Sequence, residues 1–285
     1  MEICRTKAAL RETRARLCEG GARIGLVPTM GYLHEGHLTL IRRAKAETDR
    51  VVVSIFVNPT QFGPTEDFDA YPRDEARDFA LLEAEGVDAV FAPEPSEMYD
   101  PAAETMVEPT GLSRILIGRL RPGHFRGVAT VVTKLLNIVQ PAHAYFGRKD
   151  YQQLAVIRRV VSDLDIPVEI SGVDIVREED GLAMSSRNVR LTEADRAAAP
   201  ALHGALQEGR TAIEGGRTVE SARKIIRRVL QGAAGAEISS IDIRDAEGLG
   251  QVMGRPERPV VILLAVRFGT VLLIDNMIAD PRESA

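Results

Sequence analysis

Two histidines three positions apart, His34 and His37, lie in the segment Pro28-Thr29-Met30-Gly31-Tyr32-Leu33-His34-Glu35-Gly36-His37, directly after the apolar run Ile24–Val27. An imidazole can donate a hydrogen bond to a phosphoryl group as negative charge builds there in a transition state. The local pattern predicts a strand over Ile24–Pro28 and a helix from Leu38 to Glu47, with apolar Leu38, Ile41 and Ala44 on one face. A helix N-terminus carries unpaired backbone N–H groups and partial positive charge, which makes it a natural seat for phosphate. Glycines at such a place let the backbone approach a ligand closely. By itself, though, His-x-x-His is short, and a connection with merely solvated histidines accounts for it equally well.

Other segments carry side chains of matching chemistry. Gly181-Leu182-Ala183-Met184-Ser185-Ser186-Arg187-Asn188 is a small, polar, basic loop after Val173–Val176. Ser185, Ser186 and Arg187 can donate to phosphate oxygens, and arginine does so with a planar fork; loop serines are otherwise turn formers. Gly147-Arg148-Lys149-Asp150 offers a cation, in a composition equally typical of a solvated turn. Gln61 and Gln153 bear amides that both donate and accept, although Asn58-Pro59-Thr60-Gln61 also reads as a capped turn. Arg121, His124 and Arg126 form a basic loop, able to position a substrate or simply to be solvated. Phe56, Phe62 and Val131 are either apolar walls or core. There is no Walker A loop, no GxGxxG and no HExxH, so those routes to phosphate or zinc are excluded.

The elements that must hold these residues alternate. Strands are predicted at Ile24–Pro28, Arg50–Val57, Ala89–Ala92, Ala142–Phe146 and Val168–Val176. Helices are predicted at Asp74–Glu85, Phe125–Gln140 and Tyr151–Leu164. Strands separated by helices imply a parallel sheet with crossover connections, whose ligands bind at the carboxyl ends of the strands. The motifs after Val27, Val57, Phe146 and Val176 fall at such ends. Beyond Val176 the pattern changes to helices at Leu191–Glu214 and Val219–Ala234 and strands at Ser239–Arg244, Val260–Phe268 and Val271–Ile274, with a tight hairpin turn at Arg267–Thr270. The expected architecture is α/β: a doubly wound, Rossmann-like nucleotide-binding domain over residues 1–176, then a smaller α+β domain over 177–285 with the Met184–Asn188 loop at the hinge. The basic residues Arg5, Lys7, Arg11, Arg14 and Arg16 read as a solvated helix face.

With 285 residues, the chain can bury a substantial core and hold two domains. Its net charge of −5 argues against a nucleic-acid binder that relies on a broadly basic surface. Cys4 and Cys18 make neither a disulfide framework nor a CxxC metal site. The N-terminal stretch lacks a long apolar run, so no membrane partner is expected and the expected compartment is the cytoplasm.

Read in order, Pro28–Gly31 with His34–His37, Phe56–Phe62, Arg121–Val128, Phe146–Gln153 and Met184–Asn188 resemble the motifs of the pantothenate synthetase (pantoate–β-alanine ligase) family, within the HIGH-motif nucleotidylyltransferase superfamily. The resemblance implies ATP-dependent condensation of (R)-pantoate with β-alanine to pantothenate, AMP and diphosphate through a pantoyl adenylate, with Mg²⁺ accompanying ATP. It gives His34, His37, Lys149 and Arg187 catalytic roles. It places Met30, Gly31, Tyr32, Leu33, His34, Glu35, Gly36, His37, Gly147, Arg148, Lys149, Asp150, Val176, Met184, Ser185, Ser186 and Arg187 around ATP, Gln61 and Gln153 at pantoate, and Gln61 at β-alanine. It implies a homodimer and identifies no protein ligand for the metal. The lysines of the superfamily's KMSKS-type motif are absent from Met184–Asn188, and Lys149 and Arg187 would take over their task. The alternatives are a plain nucleotidylyltransferase, separable by AMP release on adding β-alanine, and an inactive nucleotide-binding regulator, disfavoured by the presence of His34, His37, Lys149 and Arg187.

Overall fold

The computed structural model describes residues 1–64 and 66–282, and they form two compact units. The first comprises Met1–Arg148 and Gln153–Asp174; the second takes Lys149–Gln152 and the chain from Ile175 onward.

The first unit is built on six strands, β1 (Glu2–Cys4), β2 (Ile24–Thr29), β3 (Arg50–Ile55), β4 (Ala89–Phe91), β5 (His143–Gly147) and β6 (Glu169–Val173). They lie in the order β1-β4-β3-β2-β5-β6, all parallel. The helices of this unit are α1 (Lys7–Leu17), α2 (Glu35–Glu47), α3 (Glu75–Ala84), the single turns α4 (Pro95–Met98) and α5 (Ile117–Leu120), α6 (His124–Val139) and, from Gln153 onward, α7 (Tyr151–Asp163). Strands buried on both faces need apolar residues at successive positions, and Val51, Val52 and Val53 are all buried. Side chains alternate between the faces. Leu26 and Val52 therefore join the core containing α6, whereas Val27, Val51 and Val53 join the one containing Ile41 of α2 and Leu82 of α3. From β2 the chain builds outward through β3 and β4, then returns to place β5 on the other side of β2. That reversal between β2 and β5 is the switch point at which such sheets bind ligands.

The second unit is an antiparallel sheet of β7 (Ala236–Asp245), β8 (Val260–Phe268) and β9 (Val271–Ala279). Its helices are α8 (Glu193–Ala198), α9 (Ala201–Glu214) and α10 (Val219–Gln231). Leu206 and Ile213 of α9, Ile226 and Leu230 of α10, and Ile262 and Leu264 of β8 share one core. The expected hairpin turn is present, with Gly269 at φ 55° where Phe268 pairs with Val271.

Several expected boundaries move for identifiable reasons. The helix predicted from Leu38 starts at Glu35 because His34 caps it. Strand β6 ends at Val173, not Val176: the Val176 carbonyl accepts from the Met184 N–H at 3.0 Å and Arg177 bridges to Ala183 in antiparallel sense. The motif after Val176 is therefore not at the end of a parallel strand. The helix predicted over Leu191–Glu214 breaks at Pro200, which has no N–H to continue the ladder. The three-residue strand β1 is too short to register as a pattern in the sequence.

Candidate active site

The loop leaving β2 turns sharply, with Gly31 at φ 80° and Tyr32 at φ 50°. A side chain at Gly31 would be strained at that φ and would place its Cβ 3.0 Å from Asp78 Oδ2. Asp78, on α3 and nearly fully buried, accepts hydrogen bonds from the Tyr32 and Leu33 N–H groups, each at 2.7 Å. Arg77 donates to the Leu33 carbonyl at 2.9 Å, and its guanidinium lies over the Tyr32 ring. Burial pushes the Asp78 carboxyl above its ordinary range against the pull of those two donors. The N–H groups of Tyr32 and Leu33 are thus engaged within the protein.

Next come the two histidines. His34 is the N-cap of α2, and its Nδ1 accepts from the Gly36 N–H at 3.1 Å. His37 reaches back, and its Nδ1 accepts from the His34 N–H at 3.3 Å. The pair forms a capping box in which imidazoles replace the usual hydroxyl and carboxylate. A backbone N–H can only donate, so both Nδ1 atoms are unprotonated and each ring carries its proton on Nε2. The rings lie 4.1 Å apart, centroid to centroid. Two imidazoles with defined donor atoms, on the N-terminus of a helix and at the sheet's switch point, suit an arriving phosphate chain. The Glu35 carboxylate is drawn to Arg42.

From β3 the chain enters a short 3₁₀ turn, Pro59–Gln61, capped by Asn58. Gln61 is buried, and its Nε2 donates to Met30 Sδ at 3.1 Å, which joins the segment expected to hold the acid to the one expected to hold the nucleotide. The Gln61 backbone carbonyl faces His124 Nδ1 at 2.9 Å and accepts from Arg121 at 3.3 Å. Arg121 also pairs with Glu66. Two members of the basic loop therefore buttress Gln61. Phe56 and Val131 belong to the core; Phe62 packs edge-on against Phe68 and Tyr71. Gln153 is half-buried in the first turn of α7.

Gly147 ends β5, and Arg148, which opens the 3₁₀ turn after it, pairs with Asp174 at 2.9 Å. Lys149 and Asp150 fall in the second unit. There the Lys149 carbonyl accepts from Asn276 Nδ2 at 2.8 Å, and the Tyr151 hydroxyl donates to the Ala246 carbonyl at 2.6 Å. In the same unit Ser185 caps a 3₁₀ turn over Ser186–Arg190, its Oγ accepting from the Arg187 N–H at 3.3 Å. Asn188 donates to the Ala183 carbonyl at 3.1 Å. Ser186 is buried and Arg187 half-exposed. Arg177, which opens the connection to this loop, pairs with buried Asp275 at 2.7 Å.

Asp78, Arg77, Tyr99, Asp275 and Asn276 escape a reading by motif. Asp78 alone left a signal: a carboxylate at position i of an apolar i, i+4 pair with Leu82, on the buried face of α3.

Comparison with known proteins adds to this geometry. The family model described as Pantoate-beta-alanine ligase matches residues 2–278. A pantothenate synthetase of Bartonella quintana (strain Toulouse) is 52% identical, over 99% of both chains. A pantothenate synthetase from Thermus thermophilus superposes with a TM-score of 0.92 at 46% identity, covering 97% of this chain and 99% of that one. A pantoate-beta-alanine ligase from Francisella tularensis, solved in complex with beta-gamma ATP and beta-alanine, superposes at 0.82 with 36% identity, covering 97% of each chain.

Proposed function

This chain belongs to the pantoate–β-alanine ligase family, and from that premise we propose how its own residues carry out the reaction. The enzyme joins (R)-pantoate to β-alanine at the expense of ATP. A carboxylate is a poor electrophile and must first be activated. A pantoate carboxylate oxygen attacks the α-phosphorus of ATP, the bond to diphosphate breaks, and pantoyl adenylate forms. The β-alanine amine then attacks the acyl carbon and loses a proton; the bond to AMP breaks and pantothenate is released.

Charge grows on the phosphoryl oxygens in the first step, so positioning and electrostatic stabilisation dominate. His34 and His37 supply Nε2–H donors that the capping box has already aimed, so they need no reorganisation during reaction. The N-terminus of α2 adds its partial charge. Lys149 and Arg187 supply full positive charges, with Ser185 and Ser186 as hydroxyl donors. Gln61 and Gln153 hold pantoate, and Gln61 serves β-alanine in the second step.

Mg²⁺ enters with ATP as part of the substrate, neutralising its phosphates. An ion of this kind usually keeps several of its waters and leans on phosphate oxygens, and no protein ligand is proposed for it. The resemblance supports a homodimer, testable by sedimentation. No helix among the described residues is long and apolar enough to cross a membrane. The cytoplasm is the compartment we propose, as expected from the sequence.

The observation that carries the mechanism is the imidazole capping box. Its test is exchange of labelled diphosphate into ATP. Exchange is expected with pantoate and Mg²⁺ present and β-alanine absent, and not with β-alanine alone. Full turnover on adding β-alanine, without pantoate-dependent exchange and without a quenchable adenylate, would overturn the stepwise scheme.

A further inference from the structure

Asn58 is buried beneath the acid-binding segment, and fixed backbone groups on both sides set the orientation of its amide. Its Oδ1 lies 3.3 Å from the Thr60 N–H, which can only donate. Its Nδ2 lies 3.2 Å from the Gly127 carbonyl, which can only accept. The close approach of α6 that brings this carbonyl in requires glycine: a Cβ at Gly127 would sit 2.4 Å from the Thr60 carbonyl oxygen. With the amide so oriented, the 3.1 Å contact from Nδ2 to Gln61 must end on Oε1 of Gln61. The Gln61 amide therefore turns its Nε2 toward Met30.

The same logic extends outward. The Tyr99 hydroxyl lies 2.8 Å from Asn58 Oδ1 and 3.2 Å from Thr60 Oγ1. Asn58 Oδ1 can only accept, so Tyr99 donates to it. The Thr60 hydroxyl also donates to Asn58 Oδ1, at 3.0 Å, so every group around that oxygen is a donor and the amide cannot be turned over. Burial pushes the Tyr99 phenol up, which keeps it a donor at neutral pH. Hydrogen bonds that run in one direction polarise each other and strengthen the chain.

We infer that Thr60, Tyr99 and Asn58 form a one-way relay that fixes the side-chain amide of Gln61 as a hydrogen-bond donor, so that Gln61 recognises an acceptor oxygen of the acid substrate, and that Tyr99 is a positioning residue for this reaction. The inference rests on the reading that Gln61 contacts the acid. The thioether of Met30 is a weak acceptor, so an oxygen of the substrate displaces it from Gln61 Nε2 at little cost. The relay makes a commitment that an isolated glutamine would not: Gln61 cannot turn over to accept a proton from a substrate hydroxyl without leaving Asn58 Nδ2 facing another donor.

Two variants and one direct observation test this. Tyr99→Phe removes the hydroxyl and keeps the ring against Phe56. It should raise the pantoate concentration for half-maximal diphosphate exchange about tenfold, the usual effect of one lost hydrogen bond, with unchanged half-saturation by ATP in a protein that still unfolds cooperatively. Gln61→Glu offers acceptors only and should be as defective as Gln61→Ala. Unchanged pantoate dependence in Tyr99→Phe, or near-normal exchange in Gln61→Glu, overturns the relay. Neutron diffraction from the deuterated free protein reads the amide directly: deuterons on the Gln61 atom facing Met30 support the relay, and a carbonyl oxygen there refutes it. That result stands whether or not the wild type exchanges diphosphate, so failure of the relay is distinguishable from failure of the functional reading.

Discussion

The carboxylate of Asp78 holds the backbone N–H of Tyr32 at 2.7 Å, fixing a non-glycine residue at positive φ two positions before His34. Its second oxygen holds Leu33 equally closely. A carboxylate can satisfy two adjacent donors, whereas an asparagine amide offers one acceptor and confronts the other N–H with its own NH₂. Asp78→Asn should cost about 1–3 kcal/mol in urea unfolding. It should also slow pantoate-dependent diphosphate exchange, because the loop that aims His34 loosens. A folded Asp78→Asn protein with wild-type exchange would show that the clamp serves stability alone.

The pair between Glu66 and Arg121 predicts a pH dependence. Burial raises the Glu66 carboxyl, but hydrogen bonds and charge from Arg121 more than offset this, and the net shift is downward from 4.5. A carboxyl whose pKa is lower in the folded state contributes stability above its unfolded value and loses it as pH falls through the folded value. Both side chains are mostly buried, at 22% and 17% exposure. Glu66→Gln should therefore destabilise by about 1–2 kcal/mol at pH 7. The difference from wild type should vanish at acid pH, below the lowered pKa of Glu66. Paired urea titrations at the two pH values measure it; a pH-independent difference would mean that the pair's charge is not the source.

In the second unit, Asp275 is almost wholly buried against Arg177. Removing one partner of such a pair leaves the other charge uncompensated. Asp275→Ala should destabilise by about 3–5 kcal/mol, and Asn276→Ala, which frees the Lys149 carbonyl, by about 1 kcal/mol. If Lys149 acts on the phosphates, Asn276→Ala should also lower the exchange rate at saturating ATP. A normal rate in that variant would show that Lys149 does not depend on this anchor.

The α/β architecture was legible because strands such as Arg50–Ile55 carry unbroken β-branched runs and helices such as α6 a wide apolar face. Both signals arise from burial, which dominates local conformation. The end of β6 was not legible, because Val176 has strand-forming chemistry and only a hydrogen bond to Met184 draws it into another pairing. The positions of Asp78 and Tyr99 were hidden for a related reason: their partners lie 45 and 41 residues away in sequence, and spacing along the chain reports only short-range geometry. The histidines were legible as residue types but not as caps, since histidine is uncommon in that role and the helix start was expected at Leu38 rather than Glu35.

That capping role allows structure and chemistry at His34 to be separated. Alanine at position 34 removes both the cap, worth about 1 kcal/mol, and the Nε2–H donor, so a slow His34→Ala enzyme would be ambiguous. Asparagine is among the best N-cap residues, and its side-chain oxygen can accept from the start of α2 as His34 Nδ1 now does from Gly36. It is too short to present a donor where the imidazole Nε2 lies. His34→Asn should therefore unfold within about 0.5 kcal/mol of wild type and still lose diphosphate exchange by on the order of a hundredfold, the usual effect of removing one preorganised donor. His37→Ala should lose rate by a similar factor, with ATP binding weakened less. Nitrogen-15 spectra of the free enzyme should show both rings protonated at Nε2. Near-normal exchange in a stable His34→Asn protein would assign His34 to the cap alone and leave His37 as the imidazole that meets the phosphates.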